Sequence, residues 1–250
     1  MARLGVNIDH VATLRNQRDE DYPSIDLAAK ISLEAGADQI TIHLREDRRH
    51  IRDEDLITVK SQTIHFGKLL NLEIGTDFEI ARIAQQLNPD WVCIVPEKRE
   101  EKTTEGGLDL CNASVFSKVI EVIQIVREKN SSLKVSLFVE SSERIYDQIK
   151  KMRELGIIID AVEIHTGEYA HKFIANQDFF TELNSFKAMK QKYHDLKMGY
   201  HAGHGLTDKS LLPLVEENIF DEYNIGHWII GESIFIGLDQ VVGKLKKIMN

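Results

Sequence analysis

The sequence has few cysteines and no excess of positive charge, and each shortage excludes a class of protein. Only two cysteines occur among 250 residues: Cys93 lies inside the apolar run WVCIVP, and Cys111 lies in a polar stretch. They form neither a disulfide framework nor a zinc-ligand spacing, so we expect a reducing, cytoplasmic setting. The formal net charge of −9 disfavours nucleic acid or an anionic membrane as a general partner. An anionic substrate would need a local cationic pocket.

Long apolar segments, low-complexity tracts and internal repeats are also missing. The N-terminal stretch MARLGVNIDH lacks the apolar core of a signal peptide, and no window approaches the length of a membrane span. We therefore expect a soluble, intracellular protein that does not associate with membranes. No linker divides the chain, so we predict a single catalytic domain over residues 1–250.

Short β-type runs recur along the whole chain, with amphipathic helical segments between most of them. The runs are RLGVNI, DQITIHL, LLNLEI, DWVCIV, LKVSLFV, DAVEIH, LKMGYH and EYNIGHWII. Strand-helix alternation predicts right-handed βαβ units and a parallel sheet, and eight units in about 250 residues favour a closed α/β barrel of the (β/α)8 TIM type. An open doubly wound sheet is the alternative. It would be favoured by a glycine-rich dinucleotide loop after the first strand, and NIDHVATLR is not such a loop.

Two segments are longer than a barrel requires. The connection PEKREEKTTEGGLDLCNA after the fourth strand is long and polar, which is typical of a lid or binding loop. The stretch from about Ala170 to His194 has a helical pattern. It fits either an elongated surface helix or a helix used in subunit contacts.

Polar side chains gather where the predicted strands end. In a TIM barrel the active site forms at the C-terminal ends of several strands. Seven of the ten histidines lie at or just past the predicted ends: His10, His43, His50, His165, His201, His204 and His227. A single histidine at such a place is more often a core residue than a functional one. Seven on one face predict a shared site, to which the same strand ends add Asn7, Asp9, Arg45, Glu73, Glu163 and Gly226.

Two kinds of catalysis are poorly supported by this set. Metal catalysis is disfavoured because no strand carries a His-x-His pair and because Arg45, Arg48 and Arg49 beside the histidines oppose a dication. Schiff-base catalysis needs a lysine in a strand interior, whereas Lys98 lies in a hydrophilic run after a proline. What remains is proton transfer by histidines and glutamates, with arginines as anion-binding groups.

Glycines in two late loops indicate phosphate binding. HAGHGL follows the seventh strand, and GHWIIGES lies along the eighth. Barrels often bind phosphate at these two positions through backbone N–H groups and a helix N-terminus. Either glycine pair alone is a weak signal because glycine also serves turns.

Eight motifs together resemble the pyridoxine 5′-phosphate synthase family: GVNIDHVATLRNQR, HLREDRRH, NLE, VPEKREEKTTEGGLD, VSLFVE, EIHTGEYA, AGHGL and NIGHWIIG. The resemblance runs from about residue 4 to residue 247. It implies a TIM barrel with extra helices that assembles into homo-octamers. It also implies condensation of 1-deoxy-D-xylulose 5-phosphate with 3-amino-2-oxopropyl phosphate, without metal or organic cofactor. The products would be pyridoxine 5′-phosphate, a form of vitamin B6, with inorganic phosphate and water.

The resemblance further implies roles for single residues. His43 and Glu73 would be the proton acceptors, and His204 would be the proton donor. Glu163 would stabilise the transition state. The deoxyxylulose phosphate would be held by Asp9, His10, Arg45, His50 and Thr103. The amino-ketone phosphate would be held by Asn7, Arg18, Gly205, Gly226 and His227. Only the resemblance supplies Arg18 and Thr103, since reasoning from strand ends does not predict them.

Two residues depart from the family pattern, and two other functions stay open. His201 stands where asparagine is expected before AGHGL, and Glu232 stands where a basic residue is expected. An acidic Glu232 beside a phosphate would be unfavourable, so we expect it to point away from the site. The other functions are a phosphosugar aldolase or isomerase that uses Lys98, and a non-catalytic binding protein for sugar phosphates.

Overall fold

The computed structural model describes residues 2–18, 20–97 and 106–250. Within these ranges eight parallel strands pair in chain order, and the eighth pairs with the first to close a barrel. The strands are β1 Arg3–Asn7, β2 Gln39–Leu44, β3 Leu69–Ile74, β4 Trp91–Ile94, β5 Lys134–Val139, β6 Ala161–His165, β7 Gly199–Gly203 and β8 Glu222–Ile225. The TIM barrel expected from the strand-helix alternation is therefore confirmed.

The described residues also form eleven helices, more than one for each strand. They are α1 Asp9–Asn16, α2 Ile25–Glu34, α3 Asp53–Phe66, α4 Phe78–Leu87, α5 Ala113–Arg127, α6 Glu143–Glu154, α7 Gly167–Ile174, α8 Phe180–Asp195, α9 Asp208–Glu216, α10 His227–Ile236 and α11 Leu238–Met249. None of these helices combines the length and the apolar character needed to cross a membrane.

Three element boundaries differ from the sequence predictions. The run EYNIGHWII holds both a strand and the start of a helix, because β8 ends at Ile225 and α10 begins at His227. Strand β7 begins at Gly199, after Lys197 has left the helical conformation with a φ of 58°. The stretch 170–194 is not one helix but parts of α7 and α8, which are separated by residues 175–179 around Asn176, with a φ of 54°.

One face of each strand packs against the surrounding helices. Leu4, Val6, Ile40 and Ile42 are fully buried in this apolar layer. The strand register places Val6 beside Ile40 on one side and beside Ile225 on the other. Because apolar burial is the main favourable term in folding, this layer between sheet and helices is the core of the molecule.

The other face of each strand points into the barrel, where many side chains are polar. This buried polar layer comprises Gln39, Thr41, Asn71, Ser136, His201, Glu222 and Asn224. Barrel interiors are usually filled by branched apolar residues. Here hydrogen bonds replace them: Gln39 Nε2 donates to Glu222 Oε1 at 2.9 Å, and Thr41 Oγ1 donates to Asn224 Oδ1 at 3.0 Å. Each group left unbonded in such a place would cost roughly 1–3 kcal/mol.

Candidate active site

A cavity of about 830 Å³ opens at the C-terminal ends of the barrel strands. Twelve of the fourteen residues predicted for the site line it: Asn7, Asp9, His10, His43, Arg45, His50, Glu73, Glu163, His204, Gly205, Gly226 and His227. They come from β1, β2, β3, β6, β7, β8 and the segments that follow these strands. The geometry therefore brings together residues that are far apart in the chain.

His43 of β2 lies between two carboxylates, Glu73 on β3 and Glu97 in the segment after β4. Its Nδ1 is 3.9 Å from Glu73 Oε2, and its Nε2 is 3.2 Å from Glu97 Oε1. The ring is almost completely buried, with 6% of the side chain exposed. A histidine flanked in this way is held in one orientation and can pass a proton to either side.

Glu97 is a residue of this site that the sequence analysis did not single out. It follows β4 in the motif PEKR, and its Oε1 also lies 3.5 Å from Arg45 Nε. Burial would raise the pKa of Glu97, but contacts with His43 and Arg45 outweigh burial and lower it. Glu97 is thus an ionised carboxylate that contacts two of the predicted site residues.

Asp9 joins the end of β1 to β2. Its Oδ1 accepts a hydrogen bond from the His43 backbone N–H at 2.8 Å, and its Oδ2 accepts one from Asn7 Nδ2 at 2.8 Å. Asn7 Oδ1 in turn accepts from the Asp9 N–H at 3.0 Å. These bonds fix the position of the end of β1 relative to His43 on β2.

His204 lies at the end of β7 in a conformation that is rare for a non-glycine residue. Its φ is 79°, and Thr166 Oγ1 donates a hydrogen bond to its carbonyl oxygen at 2.7 Å. Backbone strain of this kind persists where the surroundings hold it, and it clusters at functional sites. Burial, with the neighbouring His165 and His227, lowers the pKa of His204 to about 4. The imidazole is therefore neutral at pH 7.

Two glutamates of the cavity, the buried Glu163 and the partly buried Glu73, are protonated more readily than ordinary glutamates. Burial, together with the charges of Glu163 and Asp9, raises the pKa of Glu73 well above its usual value. Burial and the nearby Glu222 raise the pKa of Glu163 to about 8. Such displaced values occur where carboxyl groups take part in proton transfer, although structural clusters also produce them.

Hydrogen-bond donors on two sides of the cavity can bind anions. On the β2 side, Arg45 is almost fully buried in the cavity wall and His50 lies nearby. On the β8 side, α10 begins at His227 directly after Gly226, so its N-terminal N–H groups lie at the cavity. A Cβ added at Gly226 would approach Asn7 Cβ to 2.9 Å, so only glycine lets β1 and α10 come this close. Both walls have the character expected of phosphate sites.

Three ligand-type side chains in the cavity lie close enough to one another to surround a cation. They are Asp9, His43 and His50, whose potential ligand atoms are within 4.8 Å of one another. Both carboxylate oxygens of Asp9 already accept hydrogen bonds, and the Arg45 charge lowers the pKa of His50 in addition to its burial. This donor set suits proton transfer and anion binding better than a dication.

Three residues singled out in the sequence, Arg18, His201 and Glu232, do not lie where they were expected, and two others lie outside the described residues. Arg18 is not part of the cavity lining; its side chain is 78% exposed and pairs with Glu20 at 3.4 Å. Thr103, like Lys98 and most of the connection predicted as a lid, lies outside the described residues. His201 is not at a strand end, as predicted, but in the middle of β7, where it faces the barrel interior. Glu232 lines the cavity instead of pointing away from it.

Comparisons with known proteins show the family of the chain. The family model described as pyridoxal phosphate biosynthesis protein PdxJ matches residues 4–250. A pyridoxine 5′-phosphate synthase of Wolbachia sp. subsp. Drosophila simulans (strain wRi) is 43% identical over 248 residues, which cover 99% of this chain and 99% of that protein. One of Sulfurihydrogenibium sp. (strain YO3AOP1) is 42% identical over 247 residues, covering 99% and 97% of the two chains.

Among solved structures, similarity extends to barrels of much lower identity. Phosphoribosyl anthranilate isomerase from Thermotoga maritima superposes with a TM-score of 0.60 at 15% identity, covering 100% of this chain and 98% of that one. Thiamine phosphate pyrophosphorylase from Pyrococcus furiosus gives 0.61 at 14% identity, covering 99% and 95%. Identities this low show the shared fold alone. The family match over nearly the whole length, by contrast, shows that the chain is an enzyme of the pyridoxal phosphate biosynthesis protein PdxJ family.

Proposed function

We propose that this enzyme condenses 1-deoxy-D-xylulose 5-phosphate with 3-amino-2-oxopropyl phosphate to give pyridoxine 5′-phosphate, inorganic phosphate and water. Its relatives are named for that product. The observation that carries the proposal is the convergence, in one cavity of a PdxJ-family barrel, of four proton-transferring side chains: His43, Glu73, Glu163 and His204.

The two anion-binding walls support two phosphorylated substrates. Arg45 and His50 would hold the deoxyxylulose phosphate, and the N-terminus of α10 with Gly205 would hold the amino-ketone phosphate. Holding both reactants in one cavity removes much of the entropic barrier to a bimolecular condensation. The net charge of −9 does not oppose this assignment, because Arg45 and Arg49 supply positive charge locally in the cavity lining.

The displaced pKa values support acid-base catalysis. Imine formation, loss of phosphate and two dehydrations each move protons in both directions. A carboxylate with a raised pKa is a stronger base once it is ionised, so Glu73 fits an acceptor role beside His43. A bound phosphate dianion would raise the pKa of the neutral His204 and prepare it to donate.

The functional assay combines both substrates with the purified protein. We expect release of inorganic phosphate and formation of pyridoxine 5′-phosphate, read by absorbance or mass, from the two substrates together and from neither alone. Borohydride trapping of a protein-bound imine would instead indicate a lysine-dependent aldolase or isomerase. Tight binding of both substrates without any turnover would indicate a binding protein.

Replacing Glu97 by glutamine tests the residue that contacts both His43 and Arg45. The amide keeps the shape of the side chain but removes the charge, so we expect kcat to fall by at least about 10-fold, as orientation of the His43 ring is lost. Glu79→Gln is the control, because Glu79 is an exposed carboxylate of α4 that pairs with Arg48. Equal kcat values for the two variants would exclude a role for Glu97 in orienting His43.

Three further properties are proposed on the same basis. Residues 1–250 act as one catalytic domain, because every strand from β1 to β8 is needed to close the barrel. The enzyme works in the cytoplasm, as its cysteine content suggests. It assembles into homo-octamers, and the exposed Ile234 and Phe235 of α10 offer an apolar surface for contact between copies.

A further inference from the structure

Glu222 is a buried carboxylate on the side of the barrel interior away from the cavity opening. It is the first residue of β8, and only 2% of its surface is exposed. Arg3 Nε donates to its Oε2 at 2.8 Å, and Gln39 Nε2 donates to its Oε1 at 2.9 Å. The Arg3 guanidinium keeps its charge at every accessible pH, so Glu222 has a permanent counter-ion. Burial would raise the pKa of Glu222, but His201 and Arg3 outweigh burial and lower it.

Asn224 connects Glu222 to Glu163. Its Nδ2 donates to Glu163 Oε2 at 2.8 Å and to Glu222 Oε1 at 3.1 Å. Its Oδ1 accepts from Thr41 Oγ1 and Gln39 Nε2, which settles which end of the amide faces the carboxylates. Two carboxyl groups are therefore joined through the two hydrogens of a single amide.

Two glycines leave the space that the side chains of Glu163 and Asn224 occupy. A Cβ added at Gly203 would collide with Glu163 Oε1, and one at Gly5 would collide with Asn224 Oδ1. The other oxygen of Glu163, Oε2, already accepts a hydrogen bond from Asn224 Nδ2, and the Cys93 thiol lies 3.9 Å from it. Two donors on Oε2 place the proton of a neutral Glu163 on Oε1, the oxygen beside Gly203 at the end of β7.

The charged and titratable groups around Glu163 come from several strands. They are Arg3 on β1, Glu73 on β3, Cys93 on β4, His201 on β7 and Glu222 on β8. Burial lowers the pKa of His201, so its imidazole contributes little positive charge at neutral pH. Arg3 is paired with Glu222. The acidic groups around Glu163 therefore oppose the ionisation of its carboxyl group.

We propose that Glu222, paired with Arg3 and joined to Glu163 through Asn224, is a positioning residue that holds Glu163 as a neutral carboxylic acid able to donate a hydrogen bond to a substrate oxygen. A carboxylic acid kept neutral by its surroundings is a known way for a protein to donate a proton at neutral pH. This inference rests on the role proposed above for Glu163 in the condensation.

The test is the titration of Glu163 in the Glu222→Gln variant. The protonated-carboxyl C=O band in the infrared spectrum is assigned to Glu163 by its disappearance in Glu163→Gln. Removing the Glu222 charge removes a like charge, so Glu163 should lose its proton at a pH lower by at least about one unit. We expect the alkaline limb of kcat to move in the same direction. An unchanged or upward midpoint of the band would overturn the inference.

Two further variants make the test decisive. Glu182→Gln removes a partly buried carboxylate that pairs with Lys172 outside the barrel, and it should leave the Glu163 titration unchanged. If Glu222→Gln fails to fold, Arg3→Gln with Glu222→Gln removes both charges but keeps polar side chains at the two positions, so the like charge next to Glu163 is lost without burying Glu163 in more apolar surroundings. It should lower the midpoint as well, and failure to do so would overturn the inference. A protein that forms no pyridoxine 5′-phosphate would overturn the proposed function, whereas the infrared titration would still decide the inference.

Discussion

Substituting asparagine for His43 is expected to reduce kcat by about 10²–10⁴-fold, the usual contribution of a positioned acid-base group. Asparagine cannot take up a proton at neutral pH, so transfer between the substrate and the carboxylates of Glu73 and Glu97 would be interrupted. The fold should survive, because the hydrogen bond to Asp9 comes from the His43 backbone N–H and remains in the variant. Steady-state kinetics with both substrates, beside a thermal melt, measures the two effects separately.

The KM values should change much less than kcat in this variant. Arg45 and His50 on one wall and the N-terminus of α10 on the other are unaltered, so binding in the ground state is retained. His65→Asn serves as the control, because His65 is an exposed histidine of α3 that does not line the cavity. A folded His43→Asn protein with full turnover would show that another group is the base.

Most of the fold could be predicted because the information lies in local periodicity. LLNLEI coincides with β3, and two helices begin at serines that cap them: Ser24 accepts from the Leu27 N–H at 3.2 Å and Ser142 from the Ile145 N–H at 3.3 Å. The run EYNIGHWII could not be divided from its pattern, since consecutive apolar residues fit a buried strand and a buried helix equally well.

The site could be predicted to the extent that it depends on strand ends. Parallel strands place their C-terminal ends on one rim, so residues such as His43 and Glu163 had to meet once the barrel was predicted. His201 was misplaced because β7 begins three residues later than expected, which moves that histidine from the strand end to its middle. The contact between Glu97 and His43 depends on the distance between the ends of β4 and β2, and no sequence pattern reports that distance.

The interior polar layer was not predicted for a different reason. Alternation in EYNI places Glu222 and Asn224 on the same strand face. A barrel interior is normally apolar, so this alternation alone would have suggested that the face is exposed. Only the closed sheet shows that Gln39, Thr41 and Arg3 supply the hydrogen bonds that allow these residues to be buried.

Replacing Arg15 by methionine is expected to lower the free energy of unfolding by about 3–5 kcal/mol, because it leaves a buried carboxylate without its cation. Arg15 Nη1 and Nη2 donate to the two oxygens of Asp55 at 2.6 and 2.9 Å, and both side chains are less than 10% exposed. Urea unfolding measures the loss. The control is Lys192→Met, which breaks an exposed pair with Glu143 and should leave the free energy of unfolding nearly unchanged.

The same substitution should also weaken substrate binding, and a double variant separates the two effects. Arg15 Nη2 donates to the His50 carbonyl at 3.1 Å, so the guanidinium ties α1 to the segment that carries Arg45 and His50. In Arg15→Met with Asp55→Leu the stranded charge is gone, and most of the lost stability should return. The KM for the deoxyxylulose phosphate should nevertheless stay raised, because the His50 carbonyl loses the bond from Arg15 and keeps only the one from Asn16 Nδ2 at 2.8 Å. A double variant with normal stability and a normal KM would show that the ion pair only stabilises the fold. A persistent rise in KM would show that Arg15 also positions the segment that carries Arg45 and His50.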